Sequence, residues 1–116
     1  MGRASRTKGN AEEVRVAAAY RAAGFTDAHT TRADRGGTQQ VDDIAGLPFR
    51  VECKRRARRY GVGEAADIHK RGCQVVHVRL DRREPVVVVP ESLWLAMIDA
   101  VYFEGEPRVR DEVATP

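Results

Sequence analysis

The 116-residue sequence predicts one α/β domain, a mixed central sheet of about five strands flanked by helices. Two observations lead to this prediction. Helix signals and short segments rich in β-branched residues follow one another in the order α, three strands, α, two strands, α. The length leaves room for a single domain over residues 1–116, and a composition of 42% hydrophobic and 32% charged residues is that of a globular protein.

The N-terminal helix is predicted over Ala11–Ala23. This segment is rich in alanine, Glu12 and Glu13 stand in its first turn, and Gly24 follows as a C-terminal stop. The preceding residues 1–9 are small and basic, and they predict a flexible arm.

Three strands are predicted to follow this helix. The weakly alternating segment Phe25–Arg32 predicts the first, and the polar residues 34–40, with two adjacent glycines, predict a loop. Val41–Ala45 and Phe49–Arg55 predict a pair of strands joined by a turn that begins at Gly46.

The second half of the chain predicts a short helix over Gly61–Arg71 and strands over Cys73–Leu80 and Pro85–Val89. The last of these strands contains four consecutive valines and lacks alternation. Such a run predicts a strand that is covered on both faces.

A final helix is predicted to begin at residues 90–92 and to run through Ile98. Its single tryptophan, Trp94, stands among apolar residues and is expected to pack in the core or in a dimer interface. The acidic residues 104–116 predict a disordered tail.

The basic residues are mostly arginine, 17 against three lysines, although the net charge is only +3. Between Arg50 and Arg59 there are six basic residues and one acid, Glu52. The planar guanidinium group is well suited to paired contacts with phosphate oxygens. The cluster therefore indicates either a solvated basic face or a polyanionic partner.

Several classes of protein do not fit the sequence. No apolar run approaches the roughly 18 residues of a membrane span, and no apolar stretch follows the basic N-terminal residues as in a secretory signal. Cys53 and Cys73 form neither a disulfide framework nor a zinc site. We therefore expect a cytoplasmic protein without a membrane partner.

Two charged side chains interrupt a strand that is otherwise apolar. Because alternate residues of a strand share a face, Glu52 and Lys54 point one way, while Val51 and Cys53 point the other. With a four-residue loop in the hairpin, Asp43 lies opposite Glu52. Two carboxylates 4 Å apart repel by about 4 kcal/mol at an effective dielectric of 20, and a divalent cation such as Mg²⁺ or Mn²⁺ would relieve that repulsion.

A third carboxylate can come from the first helix. Glu13 precedes Val16 and Ala17 by three and four residues, so it shares the helix face that packs inward. Glu12 lies further towards Arg15. Both glutamates also favour a helix N-terminus for electrostatic reasons alone.

These residues resemble a known nuclease motif. Asp43 and the run Glu52–Lys54 (ECK) resemble the PD-(D/E)xK motif, and Lys8–Glu13 (KGNAEE), followed by a helix and Gly24–Phe25, resembles the opening of archaeal-type Holliday junction resolvases and their bacteriophage relatives. Asp42–Pro48 (DDIAGLP) resembles the Asp-Ile-Ala-Gly hairpin of the phage enzymes. The similarity extends from about Lys8 to Leu95.

The resemblance implies a restriction-endonuclease-like fold and a metal-dependent endonuclease. It implies that Glu13, Asp43 and Glu52 hold Mg²⁺, with Mn²⁺ able to substitute, and that the backbone carbonyl of Cys53 adds a ligand. Lys54 would orient the attacking water and stabilise charge on the phosphate. Two choices stay open, Asp42 or Asp43 and Glu12 or Glu13.

The expected substrate is DNA, four-way junctions above all, cut in pairs by a homodimer in the cytoplasm, or in the host cytoplasm for a phage-encoded chain. The basic residues expected to contact DNA are Lys8, Arg32, Arg35, Arg55, Arg56, Arg58 and Arg59. Two alternatives remain, another PD-(D/E)xK nuclease of nicking, repair or restriction type, and a catalytically inactive nucleic-acid-binding module.

Overall fold

The computed structural model describes residues 3–31 and 43–103. In these ranges the chain forms three helices and five strands: α1 (Arg3–Ala22), β1 (His29–Thr30), β2 (Ile44–Ala45), β3 (Val51–Arg56), α2 (Val62–Lys70), β4 (Val75–Leu80), β5 (Val86–Val88) and α3 (Glu91–Phe103). The strands form one sheet in the order β1-β2-β3-β4-β5. The pair β3–β4 is parallel and the other pairs are antiparallel. The predicted α/β fold with a mixed five-stranded sheet is confirmed.

Helix α1 packs on one face of the sheet. Its residues Val16 and Ala17 are buried against Val51 of β3 and Ile44 of β2. Since Val51 and Cys53 share a face of β3, the half-buried Cys53 packs against the same cluster.

Helix α2 covers the other face and provides the crossover that two parallel strands require. Its Ile68 is buried with Val76 and Val78 of β4. The register of β3 and β4 pairs Glu52 with Val76 and Lys54 with Val78. Glu52 and Lys54 therefore share the sheet face that lies beneath α2.

The N-terminal helix begins earlier than predicted. Helix α1 starts at Arg3, so residues 3–9 are helical and the predicted flexible arm is wrong for this part of the chain. Arginine, alanine and lysine are good helix formers. Lys8 also pairs with Asp81 at the end of β4, with 3.1 Å between Lys8 Nζ and Asp81 Oδ2, and this pair ties the helix to the sheet.

Strand β5 and helix α3 are more exposed than predicted. Val86 and Val87 are 54% and 51% exposed, because β5 lies at the edge of the sheet and is not covered on both faces. Trp94 is 52% exposed, so it does not lie in the core of the protomer. No residue of α3 is buried.

Some predictions fall outside the described residues. These are the loop at residues 34–40, the beginning of the predicted strand at Val41–Ala45 and the tail at residues 104–116. Within the described ranges, the three helices include none whose length and apolar character would let it cross a membrane.

Candidate active site

The hairpin β2–β3 has the register that the sequence predicts. Ile44 pairs with Val51, which sets Asp43 opposite Glu52. The turn between the strands depends on Gly46, which has a φ of +84°. A Cβ at this position would lie 2.2 Å from the carbonyl oxygen of Asp27, so only glycine fits the turn.

The backbone and side chain of Asp43 are both held by hydrogen bonds. Its N–H donates to the carbonyl of Val51 (2.8 Å), and its carbonyl accepts from the N–H of Thr31 (3.0 Å). Its Oδ2 accepts from the N–H of Cys53 at 2.7 Å. Because the N–H and C=O of a strand residue point to the same side, the carbonyl of Cys53 also faces the β2 side of β3. The carboxylate of Asp43 and the carbonyl of Cys53, both hard oxygen donors, therefore lie on the β2 side of β3.

Glu52 and Lys54 lie together on the face of β3 that lies beneath α2. The Nζ of Lys54 is 3.4 Å from Oε2 of Glu52, and their side chains are only 22% and 16% exposed. Burial raises the pKa of the Glu52 carboxyl, the negative charge of Asp43 raises it further, and Lys54 opposes both effects. Repulsion between Asp43 and Glu52 is therefore part of the electrostatics of the site.

The two glutamates of α1 are both buried but have different surroundings. Glu12, 3% exposed, forms an ion pair with Arg15, and one of its oxygens is 3.9 Å from Arg79 Nη1. Glu13 is 9% exposed. Both glutamates thus remain candidates for the metal ligand that α1 would supply.

The oxygen donors suit a hard cation, although the described side chains gather only two carboxylates. Asp43, Glu52 and the Cys53 carbonyl are of the type that Mg²⁺ and Mn²⁺ prefer. Within residues 3–31 and 43–103, no three His, Cys, Asp or Glu side chains lie close enough to hold one metal ion. The physical reason is strand parity, because α1 packs on the face of Val51 and Cys53 while Glu52 points to the other. Glu13 as a third ligand stays a prediction.

The face of the sheet beneath α1 carries different chemistry. Tyr20 Oη shares a hydrogen bond of 2.7 Å with His77 Nε2. Burial raises the pKa of Tyr20 to about 12 and lowers that of His77. Burial and the surrounding carboxylates also raise the pKa of the Cys53 thiol, so this thiol stays protonated and packs against the cluster beneath α1.

We compared the chain with family profiles, curated proteins and solved structures. None of the three comparisons gives a match. The geometry of the described residues therefore carries the functional argument.

The basic residues after the Glu52–Lys54 pair fall into two groups. Arg55 donates to Asp81 Oδ1 (2.9 Å from Nη2), and Arg56 donates to Glu64 Oε2 at 2.6 Å. Arg58 and Arg59 are exposed on the segment that follows β3. Arg32, Arg35 and Asp42 lie outside the described residues.

The sequence analysis missed the acids that balance these arginines. Asp81 accepts hydrogen bonds from both Lys8 and Arg55, and this contact lowers the pKa of its carboxyl. Asp81 is 26 residues from Arg55 along the chain. The parallel pairing of β3 with β4 brings the two together, and no local sequence pattern indicates that pairing.

Proposed function

We propose that this protein is a metal-dependent DNA endonuclease of the PD-(D/E)xK type, a single nuclease domain that cuts four-way junctions in the cytoplasm. One observation carries the proposal. Asp43 and Glu52 face each other across the hairpin, and Lys54 lies 3.4 Å from Glu52 on the same strand. Two carboxylates that repel each other at partly buried positions cost stability, and a bound cation would offset that cost.

Each residue has a role in this proposal. Asp43, Glu52 and the Cys53 carbonyl would hold the metal, Mg²⁺ or Mn²⁺, and the resemblance adds Glu13. When bound, the cation supplies a polarised phosphate oxygen and a more acidic water. Lys54 places an ammonium group beside the phosphate, where it offsets the charge that develops during hydrolysis and orients the attacking water.

The basic surface supports DNA as the substrate. Lys8, Arg55 and Arg56 lie near the end of β3 with acidic partners, and Arg58 and Arg59 extend the surface beyond the strand. Arg32 and Arg35 belong to the same proposal on sequence grounds. Phosphate contacts of this type are independent of base sequence, which suits an enzyme that selects a DNA structure.

A specific observation favours a second candidate, a nucleic-acid-binding module without catalysis. The described carboxylates do not gather into a group of three, and such a module needs only the basic surface. Another nuclease of the same type, with nicking, repair or restriction activity, would share all the site residues.

Cleavage assays separate these possibilities. A labelled four-way junction and a linear duplex of the same sequence are each incubated with Mg²⁺ or with EDTA. We expect Mg²⁺-dependent cleavage of the junction in preference to the duplex. Equal cleavage of both would favour another nuclease type, and binding without cleavage would favour the inactive module.

Site variants test the residue assignment. We expect Asp43→Asn and Glu52→Gln to abolish cleavage and to bind the junction as tightly as the native chain or more tightly, because each removes a metal ligand and a negative charge with little change of shape. Lys54→Ala should also lose cleavage. Asp67→Asn and Glu84→Gln make the same changes at exposed positions and should cleave normally. Native rates in either of the two site carboxylate variants would disprove the site.

A further inference from the structure

Two arginines at the start of β3 are not matched by acids. Among the described residues, the guanidinium groups of Arg50 and Arg71 form neither an ion pair nor a hydrogen bond. Arg55 and Arg56, at the other end of the strand, both donate to carboxylates. An arginine without a carboxylate partner keeps its N–H donors available to another anion.

The parallel pairing of β3 with β4 brings these two arginines to the same end of the sheet. Val51 pairs with Val75, so the turn between α2 and β4 lies beside the start of β3. The N–H groups of Gln74 and Val75 both donate to the carbonyl of Arg50 at 3.1 Å. Arg71, the C-cap residue of α2, stands three residues before Gln74 in the same turn.

Gly72 makes room for the Arg50 side chain. A Cβ at Gly72 would lie 2.8 Å from Arg50 Nη1, so the guanidinium group packs closely against this glycine. Gly72 has a φ of +99°, a backbone conformation that glycine adopts readily. The turn therefore holds the Arg50 guanidinium next to Arg71, on the side of the sheet that α2 covers.

These two arginines lie beside the candidate site. Glu52 follows Arg50 by two residues, which is about 7 Å along an extended strand. The charge of Arg71 also reaches Glu52. Burial and Asp43 raise the pKa of the Glu52 carboxyl, and Lys54 and Arg71 both lower it.

Unmatched basic residues thus flank the site along the direction of β3. We call Arg50 and Arg71 the start pair, and Arg58 and Arg59, exposed beyond the end of the strand, the end pair. Consecutive phosphates of one DNA strand are about 3.4 Å apart along the helix axis, so the 7 Å between Arg50 and Glu52 corresponds to about two nucleotides.

We propose that the start pair binds a phosphate of the cut DNA strand, about two nucleotides from the scissile bond and on the opposite side of it from the end pair. The backbone of that strand then follows β3 and passes Glu52 and Lys54 between the two pairs. The planar guanidinium group suits this role, because it donates two parallel hydrogen bonds to phosphate oxygens. The inference rests on the proposed function, since it names a further contact of the same site with its substrate.

The first test measures binding of a labelled four-way junction in EDTA at several salt concentrations, so it does not depend on cleavage. We expect Arg50→Gln and Arg71→Gln each to lower the slope of log affinity against log salt by up to about 0.9, the value for one phosphate contact. Arg21→Gln removes the same charge from an exposed position on α1, on the other face of the sheet, and should keep the native slope.

A structural role for Arg71 predicts a different result. A cation in the last turn of a helix is favoured by the helix dipole, and this effect alone would leave DNA affinity unchanged. Circular dichroism checks that each variant is folded, and Arg71→Lys, which keeps the charge, should keep a slope close to that of the native chain.

The second test locates the contact with a neutral phosphate. A methylphosphonate replaces one phosphate of the junction at a time, and a variant loses no further affinity at the phosphate that it no longer contacts. We expect the phosphate that couples to the start pair and the phosphate that couples to the end pair to lie on opposite sides of the bond cut in Mg²⁺.

Three results would overturn the inference: native slopes in both start-pair variants, a slope lowered equally in Arg21→Gln, or coupling of both pairs to phosphates on the same side of the cut bond. Absence of cleavage together with the expected slopes would disprove the nuclease and would support the phosphate contact. Failure of this inference and failure of the proposed function are therefore distinguishable.

Discussion

Glu52 is proposed to bind metal, and its charge also opposes folding in the metal-free protein. Burial and Asp43 raise the pKa of its carboxyl above the ordinary value of 4.5. A raised carboxyl pKa means that the folded state prefers the protonated form. The stability that protonation of Glu52 adds to the folded state is complete below pH 4.5 and is lost as the pH rises through the raised pKa.

The variant Glu52→Gln should therefore be more stable than the native chain at pH 7.5 without metal, and the difference should disappear below about pH 4. Thermal unfolding at the two pH values measures it. Glu84→Gln makes the same isosteric change in the exposed β4–β5 turn and should leave the Tm unchanged. A Glu52→Gln variant that is less stable at pH 7.5 would mean that the ion pair with Lys54 outweighs burial and the repulsion from Asp43.

The four arginines that follow Lys54 differ in how readily a phosphate can reach them. Arg55 and Arg56 donate to Asp81 and Glu64, so a phosphate must displace a carboxylate to reach them. Arg58 and Arg59 are exposed beyond the strand end. The Arg56–Glu64 pair is exposed and the Arg55–Asp81 pair is half-buried, and such pairs are weak, so this competition reduces phosphate contacts without abolishing them.

Two double variants with the same charge change measure this difference. We expect Arg58→Ala/Arg59→Ala to lower the slope of log affinity against log salt by up to about 1.8 on duplex DNA, at about 0.9 for each phosphate contact. Arg55→Ala/Arg56→Ala should lower the slope by less. If both variants had the same slope as the native chain, these four arginines would not contact phosphates and would form a solvated basic face.

At the scale of elements, the β2–β3 hairpin determines whether Asp43 meets Glu52. Its turn packs Gly46 against the backbone of Asp27, with a positive φ and no room for a Cβ. We expect Gly46→Ala to destabilise the fold by more than about 1 kcal/mol, because alanine suits neither the backbone angle nor the space.

The control is Gly63→Ala in α2. A Cβ at Gly63 meets nothing within 4 Å, and an alanine in a helix gains roughly 0.5–1 kcal/mol over glycine. The two substitutions should thus change the free energy of unfolding in opposite directions, as denaturant titration will measure. A Gly46→Ala variant of native stability would show that the hairpin register does not depend on this turn.

The element order and the hairpin register could be predicted because both depend on local sequence. The four-residue loop from Gly46 to Phe49 sets the register, and strand parity then places Glu52 and Lys54 on one face. The relation of Glu13 to that pair could not be predicted, because it depends on which face of β3 the helix covers. The four valines at β5 predicted a strand covered on both faces, and this prediction was wrong because composition alone does not distinguish an edge strand from a central one.

At the scale of the whole molecule, the proposed function needs two metal sites, and the residues proposed as ligands in one protomer would form one. A four-way junction has approximate two-fold symmetry, and a two-fold dimer presents identical sites to equivalent strands. We expect the homodimer to form through the exposed apolar residues of β5 and α3, which include none of the residues Asp43, Glu52 and Lys54. Loss of the dimer should therefore separate the two cuts without removing the chemistry.

A supercoiled plasmid that extrudes a cruciform measures this separation. Val101 on α3 and Val62 on α2 are both exposed, so Val101→Asp and Val62→Asp make the same change on different surfaces. We expect the native chain and Val62→Asp to give mainly linear product, because both cuts fall within one binding event. Val101→Asp should give mainly nicked circles at concentrations where it is monomeric, because each binding event then brings a single site to the junction. Linear product from a monomeric Val101→Asp would mean that one protomer makes both cuts, whereas nicked circles from a native dimer would favour a nicking enzyme over a resolvase.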